Sequence, residues 1–250
     1  MKGVRIGVIE QGFVDVAPDV RDAAMAAVDV LVTAGAEATR VSVPEHLTAG
    51  LAKDALEPEG TRAVFDIGFF GAFARTYYPA TFIAATYGLF HRQTNRLLPR
   101  RKLTLIVSEF ARRRFHGTAY AKAQNVRNVF KKAFDRALER VDVLAMPTCL
   151  DVAPRYDEPK SYMDVAFQRN RFVINTSPYN FTGHPAISVP CGKSSGLPIG
   201  IQLVGRHYAE PLLLRLAHAY QHSVNWERLI GVQDESGFVH SPRAVRLSQG

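Results

Sequence analysis

Pro190 to Gly200, "PCGKSSGLPIG", places a lysine beside two serines among three glycines. Two chemistries use such a grouping. A phosphate-binding loop would use backbone N–H groups and the lysine to hold a polyphosphate. A nucleophilic serine would use the lysine as its base. Spacing excludes the first: G-x-x-x-x-G-K-[ST] ending at Gly192-Lys193-Ser194 needs glycine where Ile187 stands. Such a loop should also open a helix, whereas Gly196-Leu197-Pro198 leads into an apolar, strand-like run. The second fails on geometry, because adjacent side chains in extended backbone point to opposite sides. A lysine in a polar loop also stays solvated and charged, which makes it a poor base. The stretch therefore reads as a Gly-rich hairpin connection between "AISVP" and "IGIQLVG".

Other chemistry-bearing residues are incomplete on their own. His218 and His222 stand i, i+4 on a helix, a spacing that can bind zinc. Ala219 follows His218, so the metalloprotease HExxH pattern is absent and a surface pair is expected. His184, in "FTGHPAISVP", has no serine or aspartate tied to it by sequence. No catalytic set, metal site or cofactor is expected from these residues.

The elements that must position them follow a βαβ start. Val4–Ile9 reads as a buried strand and Val20–Thr33 as an Ala-rich helix, with Asp19 as N-cap and Gly35 just past its end. "EATRVSVP" reads as a second strand, so a parallel pair is expected. Its first turn lacks GxGxxG and is no dinucleotide site. From His46 to Arg140 the pattern is mostly helical, and Ala121, Val126, Phe130, Phe134 and Leu138 fall at helical spacing. "VDVLAMP" is a buried-strand candidate. "SYMDVAFQRNRFVINTSP" reads as a short helix entering a polar loop, and "EPLLLRLAHAYQHSV" as an amphipathic helix. One α/β domain over residues 1–250 is expected, with a weakly patterned tail from 227.

Charge and cysteines narrow the partners. The formal net charge is +8, but eight Lys or Arg fall between Arg92 and Arg114 against one acid, Glu109. The remainder of the chain is near neutral. This run could bind phosphates, yet it is not interleaved with base-stacking aromatics, so a solvated helix or subunit contact is expected and nucleic acid is not. No apolar run approaches a membrane span. Cys149 and Cys191 form no CxxC, and reduced thiols in a cytoplasmic protein are expected.

Three stretches together resemble one family. They are "RVDVLAMPT" (Arg140–Thr148), "NTSPYNFTGHPAISVPCG" (Asn175–Gly192) and "GLPIGIQLVGRHYAEPLLLRLAHAYQ" (Gly196–Gln221). Each is similar to a segment of the amidase signature family, Ser-dependent hydrolases of carboxamides. "KGVRIGVIEQGF" and the following helix extend the resemblance, which runs from residue 3 to about 226. It implies the C-terminal part of that family's fold: a mixed β-sheet flanked by helices, lacking the N-terminal strands.

In that family a nucleophilic serine, a second serine and a lysine base lie upstream of the region that resembles Val4 onward, around a Gly-Gly-Ser-Ser-Gly-Gly segment. No Gly-Gly-Ser-Ser occurs in this chain. The resemblance therefore implies a substrate-pocket half without catalytic residues, inactive alone, with Thr176, Asn180, Thr182, His184 and Ile201 as substrate-binding candidates. The glutamine-using, transfer-RNA-dependent branch carries an arginine and an aspartate for its amino-acid substrate. Counting back from Arg127 and Asn180, those positions are Leu103 and Val173, which implies an uncharged aliphatic or aromatic amide. An upstream half, a complementing chain or a second copy are the implied partners. Unpaired strand edges and a bared apolar face should make the chain self-associate. The non-enzymatic alternative is an interaction module working through the basic run 92–114.

Overall fold

The computed structural model describes residues 1–66, 77–154, 161, 163 and 171–224. The βαβ start forms as the pattern predicts. Strand β1 (Arg5–Ile9) leads through a 3-10 turn (Glu10–Phe13) into helix α1 (Pro18–Thr33), then strand β2 (Glu37–Val41). β1 and β2 pair in parallel from Arg5↔Glu37 to Ile9↔Val41. The start of α1 differs in detail. Ala17 is the N-cap and Pro18 takes the first helical position, where its missing N–H costs nothing and its fixed φ suits the helix. Asp19 falls inside the first turn, which frees its carboxylate for a contact elsewhere.

Four helices follow: α2 (His46–Asp66), α3 (Ala80–Arg92), α4 (Pro99–Phe115) and α5 (Thr118–Arg140). Helices α4 and α5 meet at a tight corner where His116 and Gly117 both adopt left-handed backbone. The buried Glu59 carboxylate of α2 accepts the Gly117 and Tyr120 N–H groups at 2.6 and 2.7 Å. It satisfies otherwise unpaired donors at the positive end of α5. Helix α5 buries Phe130, Ala133, Phe134, Ala137 and Leu138. Ala121 and Val126, predicted on the same stripe, are exposed, and Ala123 is buried instead. The start of α5 packs on α2, where Glu59 and Gly60 meet Gly117 and Tyr120.

Strand β3 (Val143–Pro147) is buried along its whole length and pairs in parallel with β1. The short helix α6 (Ser177–Thr182), the hairpin of β4 (Ala186–Ser194) and β5 (Leu197–Gly205), and helix α7 (Glu210–Ser223) complete the fold. The sheet order is β2-β1-β3-β5-β4, with β3–β5 and β5–β4 antiparallel. It is thus a mixed sheet in an α/β fold. The helix expected over "SYMDVAFQRNRF" falls largely outside the described residues, as does the tail beyond Val224.

The core joins both faces of the sheet: Ile6, Ile9, Leu144, Met146, Ile201 and Leu203 are at most 1 % exposed. Large exposed apolar side chains gather on α3 and α4, including Phe82, Leu89, Ile106 and Phe110. Among the described residues, no helix is long and apolar enough to cross a membrane. Cys149 and Cys191 are free thiols, and burial pushes the Cys191 thiol up to about 12.

Candidate functional site

The stretch Pro190–Gly200 is a hairpin, as its spacing predicts. The strands run further into it than the sequence suggests, so Lys193 and Ser194 are the last residues of β4 rather than loop. Ser195 (φ 50°) and Gly196 (φ 81°) make the two-residue turn, the left-handed pair that matches strand twist. Ser194 Oγ donates to Asp19 Oδ2 at 2.6 Å. A serine committed to a carboxylate at an exposed hairpin end is a strut between β4 and α1. Ser194→Ala should cost less than about 1 kcal/mol in urea unfolding, the usual net worth of one such bond, and leave amide hydrolysis unaltered in any assembly containing the chain.

A large open groove, about 1700 Å³, lies between α2, α4 and the segment entering α6. Leu103, Arg101, Val173, Ser177, Asn180 and His46 are among its lining residues. Helix α6 reaches it because Pro178 sits in the first turn and Gly183 (φ 79°) ends the helix after six residues. This short element turns the chain from the groove back into β4.

Under the groove is a buried polar network. Asn175, 1 % exposed, donates through Nδ2 to the Gly12 and Pro147 carbonyls at 2.9 and 2.7 Å. Those two bonds fix its amide orientation, so Oδ1 accepts from His46 Nε2 at 3.0 Å. His46 Nδ1 is then the acceptor, 3.4 Å from the Tyr179 hydroxyl. Gln202 Nε2 donates to the Asn175 backbone carbonyl at 3.0 Å. Burial lowers the His46 pKa, the Asn175 bond opposing it, and burial alone drives Tyr179 well above the usual phenol range. The network is therefore neutral and ties the 3-10 turn after β1, β3, β5 and α2 to the start of α6.

The five sequence candidates divide. Asn180 is exposed and lines the groove. Thr176 is half-buried at the N-cap of α6, its hydroxyl donating to the Val173 carbonyl at 3.3 Å. Thr182, the last residue of α6, and His184 are buried, 2.8 Å apart through Oγ1 and Nδ1. Ile201 is a core residue of β5, paired with Pro147 and Val189. Burial lowers His184 to about 4 against the opposing pull of Asp135, whose Oδ1 is 3.2 Å from Nε2. Sequence reasoning missed His46, Asn175 and Gln202. Asn175 and Gln202 lie inside the quoted motifs, which was the available signal; His46 carried none.

A hydroxyl pair forms beside this network. Thr148 Oγ1 and Ser188 Oγ are 2.6 Å apart over Gly200, where a Cβ would come within 2.7 Å of Ser188 Oγ. Gly200 on β5 lets Thr148, just past β3, and Ser188 on β4 meet across the strand between them.

His218 and His222 are exposed on α7 with Nε2 atoms 3.1 Å apart. The basic run is largely helix α4. Arg112 and Arg113 hold the Glu109 carboxylate down to about 2, and Arg62 lies 3.5 Å from it. Arg112, Arg113 and Arg114 occupy the last turn, where positive charge complements the helix dipole. This local role accounts for half of the basic cluster on α4 without a polyanionic partner.

The comparisons with known proteins agree with this architecture. The family profile described as Amidase matches residues 1–214. The chain is 32 % identical over 239 residues to a glutamyl-tRNA(Gln) amidotransferase subunit of Roseiflexus sp. (strain RS-1), covering 90 % of this chain and 46 % of that protein. It thus spans about half the length of the curated relatives it matches. Among solved structures it is similar in fold to a bacterial aryl acylamidase of the amidase signature family (TM-score 0.70, 18 % identity, 91 % of this chain and 45 % of that one). It is also similar to peptide amidase from Stenotrophomonas maltophilia (TM-score 0.60, 23 % identity, 90 % and 43 %). On the extent of the profile match, the chain belongs to the amidase family.

Proposed function

We propose that this chain forms the acyl-side wall of a carboxamide hydrolase acting on an uncharged aliphatic or aromatic amide. The observation that carries the reading is the lining of the groove. Leu103 and Val173, the positions matched to the charged substrate-binding residues of the glutamine-using branch, both line it and are apolar. At these two positions an amino-acid substrate would find no partner for its carboxylate or its amine, which favours an acyl group without charges there.

The chemistry belongs to the family's Gly-Gly-Ser-Ser-Gly-Gly segment and its lysine. There the serine oxygen attacks the amide carbon, ammonia leaves with a proton returned by the relay, and water releases the carboxylate from the acyl-enzyme. Asn180 and Ser177 would face the acyl group from α6. The buried Asn175–His46 network would hold that helix in place.

A second reading has its own support. The curated sequence relative named above belongs to an amidotransferase, which favours glutamine as the amide. Selectivity separates the two. With this chain joined to a family segment that carries the serines and lysine, kcat/KM for benzamide should exceed that for glutamine by at least about 100-fold, the discrimination expected when a site lacks partners for a charged substrate. Val173→Asp should erode the benzamide rate. Equal or better turnover of glutamine would decide for the amidotransferase reading.

A further inference from the structure

A cluster of metal-ligating side chains lies outside the groove. We propose that Asp135, His184 and His207 form a binding site for a divalent transition metal, zinc being the best match. The three come from α5, the turn after α6 and the loop between β5 and α7, so no sequence spacing announces them. Their ligand atoms all lie within 4.8 Å of one another. Two imidazoles and one carboxylate are a donor set suited to zinc rather than to magnesium or calcium, which prefer oxygen.

One observation beside the clustering points to a cation, and a second is compatible with it. His207 Nε2 is buried and has no hydrogen-bond partner among the described residues, an arrangement that costs free energy unless something fills it. The second is the orientation of His184. With the Thr182 hydroxyl donating to the Pro178 carbonyl at 3.0 Å, its oxygen is free to accept from His184 Nδ1–H at 2.8 Å. His184 Nε2 then turns a lone pair toward Asp135 Oδ1 at 3.2 Å. In this tautomer the two atoms face each other as acceptors that a cation would bridge, whereas in the other Nε2–H donates to Oδ1. Thr182 is the outer partner that metal-binding histidines commonly have, fixing tautomer and ring plane. Lys131 Nζ, 2.7 Å from Asp135 Oδ2, occupies the other carboxylate oxygen and leaves Oδ1 for the metal.

The rings are already near each other, with His184 and His207 centroids 4.4 Å apart and Phe134 edge-on to His184. Zinc here would clamp the end of α5 to both strands of the hairpin through their flanking turns. None of the three residues is needed for the amide reading, so the two stand or fall separately.

The test is zinc titration of the tag-free, EDTA-stripped chain, by calorimetry. His218→Ala/His222→Ala serves as background, because that exposed pair can bind zinc itself. The expected result is one zinc per chain with micromolar or tighter affinity, and a rise in thermal midpoint of about 5 °C or more at hundredfold excess over Kd. His207→Ala, which removes no hydrogen bond, should weaken zinc at least about 100-fold. Asp135→Asn, nearly isosteric, should do likewise, and both should keep the far-UV circular dichroism of the parent. No zinc bound in the micromolar range, or affinity unchanged in both variants, overturns the proposal and leaves an ordinary His184–Asp135 hydrogen bond.

Discussion

Asn175→Ala should destabilise the chain by roughly 3–5 kcal/mol, since several buried groups lose their partner at once. The Gly12 and Pro147 carbonyls each lose a donor, and His46 Nε2–H loses its acceptor, all in a region closed to water. Each orphaned buried group costs about 1–3 kcal/mol, against about 1 kcal/mol for a single exposed bond. The backbone bond from Gln202 survives, because it uses the Asn175 carbonyl rather than its side chain. Urea denaturation followed by intrinsic fluorescence or circular dichroism measures the loss. A cost below about 1 kcal/mol would show that water replaces the amide and that the network does not position α6.

Phe134→Ala should cost a similar amount, about 3–5 kcal/mol, by a different mechanism. The ring is fully buried and lies 5.1 Å from Tyr179, 5.9 Å from His184 and 6.2 Å from His46. It therefore fills the space between the Asn175 network and the Asp135–His184–His207 cluster. Truncation leaves a cavity the size of a ring, and neighbours fixed by their own hydrogen bonds cannot collapse into it. Phe134→Leu should recover most of the loss, since it restores volume without the ring edge. If alanine and leucine cost the same, the ring contacts rather than the volume would be what matters. The two large effects share Tyr179 and His46, so the double variant should fall short of or exceed their sum.

The elements were legible because their signals are local. The βαβ start, the Phe130–Leu138 face of α5 and the β4–β5 hairpin each follow from periodicity or turn residues within a short window. The start of α1 shifted because Pro18 is a better first helical residue than Asp19 is a cap. The exposed Ala121 and Val126 show a limit of periodicity: it says that a helix has an apolar face, not where along its length the core ends. The candidate site was less legible. Thr182, His184 and Ile201 were singled out by motif alone, and the fold buries all three, whereas Asn180 opens to the groove. His46 bonds Asn175 across 129 residues of chain, and His184 meets Asp135 across 49. Such pairings depend on tertiary closure, which no local pattern encodes. Leu103 and Val173 are the opposite case: a resemblance placed them far apart in sequence, and the fold brings both to one groove.

The most direct measurement is ammonia release from benzamide and propionamide, by this chain alone and by the chain joined to a family segment bearing lysine and Gly-Gly-Ser-Ser-Gly-Gly. The account predicts no release above buffer from the chain alone and sustained release from the joined polypeptide, abolished by replacing the segment's nucleophilic serine. Release from the chain alone, lost in Ser194→Ala, would contradict it and return Lys193 and Ser194 to the centre of the chemistry.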